Sequence, residues 1–95
     1  MDYHSSGREV LLSYRCTPMP AAVQGWIDAE GTLLANQSSF GTRDPSAEGE
    51  HQIWEIAEIT EYAYLTETAT SFQPAYSAAV AEAALVWPAT LAFLG

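Results

Sequence analysis

His51, Glu55 and Glu58 fall at i, i+4 and i+7, so on a helix they share one face. An imidazole and two carboxylates at this spacing are the donor types that hold a divalent metal or carry out acid–base chemistry. The set is incomplete, because no H-E-x-x-H pattern, nearby second histidine or neighbouring cysteine joins it. The expectation is therefore a solvated polar face, with no metal site, no cofactor and no catalytic residue. Cys16 is the single cysteine. A nucleophilic thiol needs a His partner and a stabilising positive charge. Arg15 points to the opposite face of a strand, so Cys16 reads as a small buried hydrophobe. One cysteine allows no internal disulfide and fits a reducing, cytoplasmic setting. G-x-S-x-G, phosphate-loop, G-x-G-x-x-G and CxxC patterns are all missing.

Charge is the stronger signal. The chain carries 12 acidic and three basic residues, for a net charge of −9. It has no lysine, and Arg8, Arg15 and Arg43 all precede the acidic half. Asp44, Glu48, Glu50, Glu55, Glu58, Glu61, Glu67 and Glu82 follow with no basic residue among them. Such a field repels nucleic acid and anionic membranes and attracts basic protein surfaces. The chain is not an acidic tail, because 48% of it is apolar, with three Trp, five Tyr and three Phe. Its 95 residues suit one small domain, 1–95.

The elements that must position these residues are read from periodicity. Glu9 to Thr17 alternates as a strand. Ala22 to Ile27 and Thr32 to Gln37 are two further short runs, joined at Asp28-Ala29-Glu30-Gly31 by a turn that suggests a hairpin. Residues 38–49 read as a loop. Glu50 to Leu65 has a helical period, with Ile53, Ile56, Ala57, Ile59, Thr60, Ala63 and Tyr64 on one face. The alternative for residues 50–72 is two antiparallel strands, 53–59 and 62–72. Pro74 suits the start of a helix over Ala75 to Trp87, which Pro88 ends or kinks. The expected fold is α+β: a small antiparallel sheet of about three strands, then two helices. The longest apolar run, Ala83 to Leu94, is short for a bilayer, and the polar N-terminus shows no export signal, so no membrane role is expected.

Trp26 and Trp87 have apolar neighbours and are expected in the core. Trp54 lies beside Glu58 and Glu61 at the edge of the acidic face, where it could anchor an Arg-rich partner. The leading expectation is a small acidic inhibitor that occupies a basic, nucleic-acid-binding groove of a protein partner through Glu48, Glu50, Trp54, Glu55, Glu58 and Glu61. Carboxylates spaced along a helix imitate a row of phosphates. Direct nucleic-acid binding is not expected. Small acidic inhibitors that phages use against host nucleases, CRISPR effectors included, share this size and charge. The alternative is an assembly subunit that self-associates through Tyr76, Ala79, Val80, Ala83 and Trp87, a face that otherwise belongs in the core. A small enzyme using His51 and a carboxylate is the second alternative.

Overall fold

A computed structural model describes residues 1–12, 19–44, 51–58 and 62–95. The elements run β1 (Asp2–Ser5), β2 (Glu9–Leu11), α1 (Ala21–Ser38), β3 (Gly41–Arg43), α2 (His51–Glu58), β4 (Leu65–Thr68) and α3 (Tyr76–Leu94). The four strands form one mixed sheet in the order β1-β4-β2-β3. β1 runs parallel to β4, β2 parallel to β3, and only β2 and β4 are antiparallel, with Val10 opposite Thr66. The expected antiparallel three-stranded sheet with two helices is thus corrected to a four-stranded mixed sheet with three helices.

The largest correction is α1. The two short runs expected as a hairpin form one 18-residue helix. Parallel strands cannot be joined by a tight turn and need a crossover. α1 is the crossover from β2 to β3. Its buried residues, Ile27, Gly31, Leu34, Ala35 and Ser38, recur at helical spacing. Asp28, expected in a turn, instead supports the helix: it accepts from Gln24 at 2.8 Å through its carboxylate and from Thr32 at 2.8 Å through its carbonyl. The helix ends with Ser39 left-handed at φ 57°. The Phe40 N–H bonds to the Ala35 carbonyl and the Ser39 N–H to that of Asn36, closing a Schellman cap.

Gly31 is a packing glycine, not a turn glycine. A Cβ there would clash with Leu12 Cδ2 and lie 2.9 Å from Tyr64 Cε1. Alanine in a helix gains up to about 1 kcal/mol over glycine, but forced overpacking costs about 1–3 kcal/mol. Gly31→Ala is therefore expected to lower the melting temperature. Gly25, whose Cβ would meet nothing within 4 Å, is the control, and Gly25→Ala should raise it. Equal rises in both variants would contradict the close approach.

The core gathers Val10, Ile27, Leu34, Ala35, Phe40, Tyr64 and Ala89, flanked by Leu12, Val86 and Phe93. Tyr64 is fully buried, donates to the Ile27 carbonyl at 2.6 Å, and meets the Phe93 ring edge-on at 6.2 Å. Burial, and then the nearby charges of Glu30 and Asp28, push its phenol well above the ordinary tyrosine value. The helical reading of residues 50–65 holds for His51–Glu58, which excludes a strand over 53–58, but fails at residues 62–65, where the chain leaves the helix and Leu65 opens β4 within the second alternative strand; residues 59–61 lie outside the described residues. β1, in the polar N-terminus, was not expected. The strand over residues 9–17 is seen as Glu9–Leu11, and Arg15 and Cys16 lie outside the described residues. α3 continues through Pro88 to Leu94 instead of ending there.

Candidate interaction surface

α3 has 19 residues and only one charge, Glu82. Glu82 and Ala89 are its only buried residues among those described. Val86, Thr90, Ala92 and Phe93 are half-buried on the same side, where α3 packs against α1. The charge thus faces inward and the apolar side faces out.

Two left-handed loop residues explain the reversal. Arg8, at φ 53°, follows β1, and Ala69, at φ 62°, follows β4. The Arg8 guanidinium donates to Glu82 in a fork, with Nη2 to Oε2 at 2.7 Å and Nε to Oε1 at 3.1 Å. The Ala69 N–H donates to Glu82 Oε1 at 2.6 Å. The hydrogen bonds from Arg8 hold the Glu82 carboxyl below its ordinary value; burial pushes the other way, and the Ala69 N–H helps Arg8 prevail. A buried carboxylate persists only with such partners.

The outward side of α3 is Tyr76, Val80, Leu85, Trp87, Leu91 and Leu94, each large and exposed, with alanines between them. Tyr76 is 86% exposed and Leu94 74%, so both ends of the helix are bare. Tyr76, Ala79, Val80, Ala83 and Trp87 do share an exposed region, and the expectation that this face is core is corrected. Trp26 and Trp87, also expected in the core, are exposed. The signal that could have oriented α3 is its lone carboxylate: in an apolar helix, a single charge with a distant arginine to pair with can mark the inner side. By length and composition α3 could cross a membrane, a property the shorter run Ala83 to Leu94 did not reveal.

The acidic surface is only partly placed. Trp54 and Glu58 are exposed one turn apart on α2, and Glu55 is half-buried. Glu48, Glu50 and Glu61 lie outside the described residues, as does the side chain of His51. Among the described residues no three His, Cys, Asp or Glu side chains cluster as metal ligands. The described arginines are both engaged, Arg8 with Glu82 and Arg43 with Glu9 at 2.6 Å.

The geometry defines a small mixed α/β domain with an apolar helix on its surface. No protein-family model, curated protein or solved structure matches the chain.

Proposed function

We propose that this protein is an assembly module that pairs with a second copy of itself through the outer side of α3. The observation that carries the reading is the inward direction of Glu82, which leaves the outer side of a 19-residue helix uncharged and apolar. Large exposed apolar patches are rare on monomers and mark interaction sites. A chain of net charge −9 repels its own copy wherever acids face one another, and an uncharged face avoids that cost. The outer half of such a helix, about 28 Å long and 10–12 Å across, offers on the order of 600 Å². Two copies would bury about 1,200 Å² in all, above the roughly 1,000 Å² of a specific interface.

A bilayer is a poorer fit for the same face. To span it, α3 would leave α1 and carry Glu82 away from Arg8 and Ala69 into hydrocarbon. Helices lying on membranes are usually rich in Lys and Arg, and this chain has no lysine.

Sedimentation velocity over a concentration series tests the proposal. The wild type is expected to dimerise. Ala83→Glu, at an exposed position, should give a monomer whose melting temperature moves no more than a surface change requires. A wild type that stays monomeric, or that binds phosphatidylcholine vesicles in preference to itself, would refute self-association.

A second reading is the acidic inhibitor that fills a basic groove of a protein partner. The exposed Trp54, one turn from Glu58, favours it. On that reading, Glu55→Lys with Glu58→Lys abolishes salt-sensitive capture of the partner and leaves self-association unchanged.

A further inference from the structure

A groove of about 720 Å³ opens between α1 and the last turn of α3. Trp26, Ala29, Glu30 and Leu33 line it from α1, and Ala92 and Phe93 from α3, with Tyr62 and Gly95 completing the wall. Its volume lies within the roughly 300–1,000 Å³ of small-molecule sites. Among the described lining residues, three aromatic rings and the Glu30 carboxylate define its chemistry. Glu30 is the only one of these described residues with a charged side chain. Among the described residues it has no hydrogen bond or ion pair. The described arginines are held elsewhere, by Glu82 and Glu9.

We propose that this groove binds a small organic cation: an ammonium group carried on an apolar or aromatic body. The faces of Trp and Tyr attract a cation through their ring quadrupoles, most strongly where water is thinned. Glu30 supplies the counter-charge, and Asp28, one residue before Ala29 on α1, deepens the negative field. The apolar body would lie against Leu33, Ala92 and Phe93. An anion is disfavoured, since the described lining offers it a carboxylate and no cation. A second copy of the chain is also a poor occupant, because it has no lysine and its described arginines are already paired. The site is complete within one chain, so it does not depend on self-association.

The test follows the Trp26 indole N–H signal by NMR during titration with benzyltrimethylammonium, with neutral benzyl alcohol in parallel. The cation is expected to shift that signal and to bind at least about tenfold more tightly than the alcohol. Glu30→Gln should remove most of that preference, and Trp26→Ala should weaken binding of the cation, each with the rest of the spectrum preserved. No shift with the cation would overturn the proposal. Equal affinity for the two probes, or unchanged cation affinity in folded Glu30→Gln, would overturn it too, by showing that the groove reads apolar surface alone.

Discussion

Tyr64→Ala is expected to unfold a large part of the protein at room temperature. The side chain is fully buried, and it ties together two helices: its hydroxyl donates to the Ile27 carbonyl of α1, its ring lies against Gly31 of the same helix, and it meets Phe93 of α3 edge-on. Truncating a buried aromatic to alanine costs about 3–5 kcal/mol. Small domains sit near the low end of the usual 5–15 kcal/mol of stability. Chemical denaturation should show the midpoint collapsing toward zero denaturant. Tyr64→Phe separates packing from polarity, because it keeps the ring and loses one buried hydrogen bond, for about 1 kcal/mol. If Tyr64→Phe proves as damaging as Tyr64→Ala, the hydrogen bond and not the ring dominates, contrary to this account.

The same residue sets an alkaline limit. Its folded phenol titrates above the unfolded value of 10.0, chiefly through burial. A group whose folded pKa is raised contributes stability that is fully present below the unfolded pKa and is lost as pH rises toward the folded one. Stability should therefore decline above about pH 10. In Tyr64→Phe that part of the decline should vanish.

The Glu82 clasp gives the second large effect. Glu82→Ala leaves the buried Ala69 N–H without its acceptor, which costs about 1–3 kcal/mol. It leaves Arg8 able to reach water, because that side chain is 43% exposed. Arg8→Ala is expected to be the worse of the two, since it strands a carboxylate that is only 7% exposed without its ion-pair partner. Paired denaturation curves for the two variants check this order, and a milder Arg8→Ala would contradict it. The clasp also has an acid limit. The folded Glu82 pKa is depressed, so its contribution is present above the ordinary value of 4.5 and is lost as pH falls below that toward the folded value. Glu82→Gln should lose that part of the acid dependence. Loosening this clasp should also loosen α3, so Glu82→Ala should weaken the proposed self-association.

Local sequence determined a good deal of this protein. The bias of −9 and the absence of lysine need no fold to be read. The helical period of His51–Glu58 was visible because acids and apolar residues separate cleanly at that spacing. The apolar helix after Pro74 was visible from composition. Tertiary structure decided the rest. Asp28-Ala29-Glu30-Gly31 is a plausible turn by local preference, and becomes mid-helix because β2 and β3 pair in parallel and the chain must cross over between them. Gly31 pays its helix penalty because Tyr64, from a distant segment, needs the space. β4 falls within the stretch 62–72 that reads as an alternative strand, but β1 is too short to announce itself in polar surroundings, and only the tertiary structure pairs the two over four residues. The direction of α3 was the least legible feature. Local spacing alone does not orient Glu82, because burying a charge is ordinarily costly unless it finds a partner. That cost is offset by a guanidinium 74 residues away in the chain and a backbone N–H 13 residues away. No local pattern encodes those partners, and they turn the apolar side of the helix toward solvent.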